Sequence, residues 1–181
     1  MDVMKYKDKY RIDSTRLKGY DYSQNGIYFI TICTKNREPY FGEIISGNMY
    51  VTEIGKIVQK FWMEIPQHFP FVTLDKFVVM PNHIHGILMI NKDKPFGVET
   101  QHIASLREGE YINKFQPQSM NISSIIRGYK AGVKTWTVKN NIDFAWQPRF
   151  HDRIIRDERE LHTVQEYIKN NPKNWEKDEL Y

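Results

Sequence analysis

His83-Ile84-His85 is the tripeptide of this chain with the plainest chemical potential. On a strand, successive side chains alternate between faces, so both imidazoles share one face and Ile84 takes the other. Their Cβ atoms then stand about 6–7 Å apart, close enough for the rings to converge on one cation. The same tripeptide also arises where two histidines merely alternate on a half-exposed strand, and both readings stay open at this level. Tyr167 and Asn171 form a second pair, spaced i and i+4 near the end of an amphipathic stretch and hence on one flank of a helix. A tyrosine can be a covalent nucleophile. Its phenol, with a pKa of about 10, needs a metal or base to activate it at neutral pH. A helix tyrosine is usually just an amphipathic packing residue, and Tyr167 is one of 11 tyrosines.

The third feature is Trp146-Gln147-Pro148-Arg149-Phe150-His151-Asp152-Arg153, where aromatic rings alternate with arginines. Rings that stack on unpaired bases and guanidinium groups that meet phosphates suit single-stranded nucleic acid, and an edge strand with solvated arginines fits the same letters. His151 is compatible with a metal neighbour, a proton relay or a surface side chain. A basic helix face adds to this picture. Arg127, Lys130 and Lys134 recur at i, i+3 and i+7 within a stretch, Tyr111 to Ile142, that contains no Asp or Glu.

These residues need elements to hold them. Ile27 to Thr34 is β-branched and aromatic and reads as a strand ended by Asn36-Arg37-Glu38-Pro39. Gly42 to Ile45 and Met49 to Thr52 flank Ser46-Gly47-Asn48 as a hairpin. Ile54, Ile57, Val58, Phe61 and Ile65 make the stripe of an amphipathic helix closed by Pro66 and Pro70. Val72 to Met80 and His83 to Ile90 read as two strands joined at Pro81-Asn82. A second helix runs from an Asn121 cap to about Lys139, and strand character covers Phe144 to Ile155. Asp157-Glu158-Arg159-Glu160 resembles a capping box opening a third helix, with Leu161, Val164 and Ile168 as its buried stripe and Asn170-Asn171-Pro172 as its end. The order β-β-β-α-β-β-loop-α-β-α predicts an α+β protein with helices on an antiparallel sheet. Residues 1–22 read as a polar arm, 23–181 as one domain, and about 92–118 as a long loop without a period.

Composition narrows the class. The 181 residues suit a single domain, and 40% apolar with 14% aromatic content excludes a chain disordered throughout. The apolar runs fall well short of the roughly 18 residues of a membrane span, and the N-terminus lacks signal-peptide character, so the expectation is a cytoplasmic protein with no membrane partner. A lone cysteine, Cys33, makes neither an internal disulfide nor a cysteine-based zinc site, which leaves His, amide or carboxylate ligands for any metal. The net charge of +4 hints at a polyanionic partner.

The motifs taken in order resemble one family. Gly26-Ile27-Tyr28-Phe29-Ile30-Thr31, Phe41-Gly42-Glu43, Val79-Met80-Pro81-Asn82-His83-Ile84-His85-Gly86, Ser124-Ile125-Ile126-Arg127-Gly128-Tyr129-Lys130, Trp146 to Asp152, and Glu166-Tyr167-Ile168-Lys169-Asn170-Asn171-Pro172 span nearly the whole chain. Together they resemble the HUH single-tyrosine transposases of the IS200-like group, in the REP-associated tyrosine transposase branch. The resemblance implies a ferredoxin-like antiparallel sheet with helices packed on its faces. It implies that His83, His85 and Asn171 hold a divalent cation, Mg²⁺ or Mn²⁺, where IS200 transposases tend to place Gln at the Asn171 position. It also implies that Tyr167 attacks a phosphodiester of single-stranded or hairpin DNA, leaving a 5′-phosphotyrosine bond and a free 3′-OH that later rejoin the strand. Arg127, Lys130, Lys134, Trp146, Arg149 and Arg153 are the expected DNA contacts, and family members occur as monomers and as homodimers. Two alternatives stand beside it: a domesticated relative that binds hairpin or single-stranded nucleic acid without cutting it, and a metal-dependent hydrolase that uses water.

Overall fold

The structure is a computed structural model and describes residues 24–93, 120–178 and 180–181. The arm at 1–22, and the loop at about 92–118 beyond Asp93, lie outside the described residues. In chain order the elements are β1 (Gly26–Cys33), β2 (Gly42–Ile45), β3 (Asn48–Val51), α1 (Glu53–Met63), α2 (Ile65–His68), β4 (Val72–Val79), β5 (His83–Ile90), α3 (Ile122–Lys139), β6 (His151–Ile155) and α4 (Glu158–Asn170). A 3₁₀ segment, Asn171–Lys177, continues directly from α4.

Four strands form one sheet in the order β4-β5-β1-β6, every pair antiparallel. Setting aside the β2–β3 hairpin, the short α2 and the final α4, the order is β-α-β-β-α-β, and the sheet is the ferredoxin-like one that the resemblance implied. Side-chain alternation divides β1 cleanly. Tyr28, Ile30 and Ile32 join Ile84 and Leu88 of β5 in the main core, where Val58 and Trp62 of α1 and Ile125, Ile126, Tyr129 and Val133 of α3 meet them. Ile27 and Phe29 face the opposite side, against Leu161, Val164 and Ile168 of α4. Each fully buried aliphatic side chain of this kind stabilises the fold by about 1.5–3 kcal/mol.

The helix starts follow local chemistry. Thr52 accepts the Gly55 amide at 3.1 Å to cap α1, and Asn121 with Ser124 forms a reciprocal capping box on α3. At α4 the Asp157 carboxylate accepts the Glu160 amide at 2.8 Å, while the Glu160 side chain reaches one residue further back, to the Arg156 amide. Two boundaries differ from expectation. Pro66 does not close α1, which already ends at Met63; it sits in the first turn of α2, where a missing N–H costs no helical bond. The strand expected over Phe144 to Ile155 is restricted to His151–Ile155. Trp146 makes only an isolated bridge to Thr34, because Pro148 lacks a donor and Arg149 takes φ 68°, which interrupts a ladder.

Gly86 lets α1 approach the strand that carries the histidines. A Cβ there would fall 2.3 Å from Cζ2 of the buried Trp62. Gly86→Ala should therefore displace the indole and destabilise the fold by about 1–3 kcal/mol. Urea unfolding checks this, and an unchanged midpoint would show that the indole does not need the space.

Candidate active site

β1 and β5 pair so that Cys33 faces His83 and Thr31 faces His85, which fixes both histidines on the α4 side of the sheet while Ile84 enters the main core. Neither imidazole is half-exposed. His83 is 0% exposed and His85 3%, covered by α4 and the segment after it. The two ring centroids lie 4.4 Å apart, Phe29 stacks on His85 at 5.2 Å, and Trp175 lies 5.8 Å from His83.

Hydrogen bonds orient each ring. Asn82 Oδ1 can only accept, so Nδ1–H of His83 donates to it at 2.8 Å, and the Asn82 amide is itself fixed by donating to the Leu180 carbonyl at 2.8 Å. This leaves Nε2 of His83 as the nitrogen with a free lone pair, buried and without a hydrogen-bond partner. His85 Nδ1 pairs with the Thr31 hydroxyl at 2.9 Å, and its Nε2 lies 3.2 Å from the Tyr167 hydroxyl. Burial, together with the neighbouring His85, lowers the His83 pKa from the ordinary 6.5 to about 3, and burial lowers that of His85 to about 4. Both rings are neutral at pH 7 and available as ligands.

Asn171 and Asp178 complete the cluster. Asn171, 2% exposed, donates its amide to Asp178 Oδ2 at 2.9 Å, which leaves its own Oδ1 buried and unpartnered. Asp178 is held by the Leu180 amide at 2.7 Å and accepts the Tyr167 hydroxyl at 3.2 Å. Burial pushes the Asp178 carboxyl up, but the Leu180 amide, the Asn171 amide and the histidines outweigh it, and its pKa lies below the ordinary value. One ligand atom each from His83, His85 and Asp178 lie within 4.8 Å of one another. Two imidazoles, an amide oxygen and a carboxylate fit a divalent cation, and two buried polar atoms without partners, His83 Nε2 and Asn171 Oδ1, are the observation that favours one.

Tyr167 is the exposed member of the group, at 44%, with its ring edge-on to Phe29. It projects into a cavity of about 650 Å³ whose lining includes Thr31, Arg37, His85, His151, Lys177 and Asp178. The structure thus brings Tyr167, His83, His85 and Asn171 together within one chain. Asp178 was not anticipated from the sequence, because it follows a 3₁₀ turn that has no motif of its own.

The expected DNA contacts differ among themselves. Arg127 is exposed on α3. Lys130 instead donates to the carbonyls of Gln147 and Arg149 at 2.6 and 2.8 Å and lies over the Trp146 ring, and burial lowers its pKa. Lys134 donates to the Phe144 carbonyl at 2.5 Å. Trp146 is partly buried against Phe41 and Phe144, with its indole N–H on the Lys130 carbonyl. Arg149 is exposed, and Arg153 pairs with Glu160 at 2.5 Å. The single basic face expected on α3 is therefore narrower than its sequence suggests: two of its three cations bind the 144–149 segment.

No family model matches the chain. An uncharacterized protein of Haemophilus influenzae is 44% identical over 169 residues, covering 93% of this chain and 92% of the relative. A second protein of that organism, provisionally named a REP-associated tyrosine transposase, is 21% identical over 154 residues, 84% of this chain and 73% of its own. A solved structure of a REP-associated tyrosine transposase bound to a REP hairpin superposes with a TM-score of 0.56 at 21% identity, over 88% of this chain and 73% of that one. The antiparallel sheet with helices on its faces is the fold of that REP-associated tyrosine transposase. The chain belongs to one family with the 44%-identical Haemophilus influenzae protein. No helix among the described residues is long and apolar enough to cross a membrane.

Proposed function

We propose that this protein cleaves and rejoins single-stranded or hairpin DNA through a covalent bond to Tyr167, with Mg²⁺ or Mn²⁺ as cofactor. The observation that carries the reading is the Tyr167 hydroxyl, solvent-accessible yet 3.2 Å from the Nε2 of a buried histidine in a cluster with unpartnered ligand atoms. His83, His85, Asn171 and Asp178 would hold the cation, which supplies Lewis-acid polarisation of the scissile phosphate. Tyr167 supplies the nucleophilic oxygen. Asp178 accepts its hydroxyl hydrogen and is a carboxylate placed to draw the proton away. The phenolic oxygen then bonds to phosphorus as the P–O3′ bond breaks, giving a 5′-phosphotyrosine and a 3′-OH. The phosphotyrosine ester keeps the energy of the broken link, so a returning 3′-OH reseals the strand without a nucleotide cofactor.

Incubation with hairpin DNA and Mn²⁺, followed by denaturing electrophoresis, tests this reading: a slower-migrating protein–DNA adduct is expected. Hairpin binding with no adduct would transfer the assignment to a non-cleaving DNA-binding protein.

The basic residues make a further prediction. Arg127→Ala should lower the salt slope of DNA binding by about one unit, as for the loss of one phosphate contact. Lys130→Met should leave that slope unchanged and instead destabilise the fold by about 1–3 kcal/mol, because two carbonyls lose their donor. Titrations at several salt concentrations, with unfolding curves alongside, separate the two. A slope change in Lys130→Met would place DNA on that lysine.

A further inference from the structure

A departing 3′ oxygen that ends as a hydroxyl needs a proton donor. Thr31 on β1 pairs with His85 of β5 on one side and with His151 of β6 on the other. Residues paired directly across antiparallel strands point to the same face, so His85, Thr31 and His151 form a row across the sheet beneath α4. With strands about 4.7–4.9 Å apart, the two histidines are separated by roughly 9–10 Å of backbone. Tyr167 stands at the His85 end of this row, 3.2 Å from Nε2, and His151 stands at the other end. Both line the same cavity of about 650 Å³. An in-line displacement needs its nucleophile and its leaving group on opposite sides of phosphorus, and the row offers a group at each end.

We propose that His151 is a catalytic residue, the general acid that protonates the leaving 3′ oxygen. This rests on the single-tyrosine reading given above. As the Tyr167 oxygen bonds to phosphorus and the P–O3′ bond breaks, the electron pair stays on O3′ and the His151 imidazolium gives O3′ its proton. The products are the 5′-phosphotyrosine, a 3′-OH and a neutral imidazole. In rejoining, the neutral imidazole takes the proton from the attacking 3′-OH, and the Tyr167 phenolate leaves. Imidazole is suited to both directions near neutral pH. Among the described residues, the other charged groups around the cavity are Arg37, Lys177 and Asp178. The first two are cations that suit the phosphate rather than a proton transfer, and Asp178 lies on the Tyr167 side, bonded to that hydroxyl. His151 is exposed and outside both core clusters, so its replacement leaves the fold intact.

The test compares two substrates of one sequence, after the cut position has been mapped with the unaltered protein. One has the ordinary 3′ oxygen at the scissile phosphate; the other has a 3′-bridging sulfur, which leaves as a thiolate and needs no acid. His151→Ala should form adduct about 10²–10⁴-fold more slowly on the oxygen substrate and at the unaltered rate on the sulfur substrate. An equal loss on both substrates, or no loss on either, would overturn the assignment. If the unaltered protein forms no adduct on either substrate, the single-tyrosine reading itself fails and the His151 role falls with it.

Discussion

Tyr167→Phe should abolish adduct formation, by about 10³-fold or more, while the Kd for hairpin DNA changes by less than about tenfold. The asymmetry follows from where the hydroxyl sits. The variant loses one oxygen, the atom 3.2 Å from both His85 Nε2 and Asp178 Oδ2, and keeps the ring that packs edge-on against Phe29. A ring 44% exposed, with its aromatic contact preserved, should cost the fold less than about 0.5 kcal/mol. Binding titrations and timed adduct assays on the same preparation measure both quantities. Cleavage that survives in this variant would remove Tyr167 from the nucleophile's role. Loss of binding and cleavage together would make the residue a DNA contact instead.

The second large effect concerns the cation. If the cluster holds one, saturating Mn²⁺ at about 100 times its Kd should stabilise the folded protein by about 2.7 kcal/mol. His83→Ala should remove most of that gain, because it deletes a buried nitrogen whose lone pair has no other partner. Comparing Tm with and without metal within each variant cancels the separate cost of the lost side chain. A metal-dependent shift that persists undiminished in His83→Ala would place the ion elsewhere. The pH dependence is a further signature. A free imidazole near its ordinary 6.5 begins to exchange metal for a proton below neutrality, whereas here the pKa values are held at about 3 and 4. Proton competition should therefore set in only as the pH approaches about 4, and the Mn²⁺ shift should stay nearly constant between pH 7 and 5. The same displacement has a sign for the metal-free fold. The unfolded chain takes up protons below about 6.5 and the folded chain does not, so stability is fullest above that pH and declines as it falls toward 4.

What could be read from the sequence, and what could not, divides along the range of the interactions involved. Strand alternation placed His83 and His85 on one face, and helical spacing placed Tyr167 and Asn171 on one flank; both are local regularities. The burial of the two histidines depends on α4 and the 3₁₀ segment folding back over them, which no local pattern encodes. Asp178 was missed for the same reason: only the turn through Asn171–Lys177 carries it back to Tyr167. The basic stripe on α3 was a true periodicity, yet Lys130 and Lys134 meet carbonyls 10 to 19 residues away. Pro148 and Arg149 likewise turned an expected long strand into a short one preceded by a tethered loop. Charge spacing identifies where cations lie on a helix and says nothing about acceptors that arrive from elsewhere.

The most direct measurement uses a hairpin oligonucleotide labelled at either end, incubated with Mn²⁺ and resolved under denaturing conditions, with the adduct then digested and sequenced by mass spectrometry. A 5′-phosphotyrosine retains the DNA on the 3′ side of the cut, so the 3′-labelled strand should migrate with the protein, the 5′-labelled fragment should run free, and the modified peptide should carry its nucleotide on Tyr167. Cleavage with both fragments free, or an adduct on any other residue, would contradict the assignment.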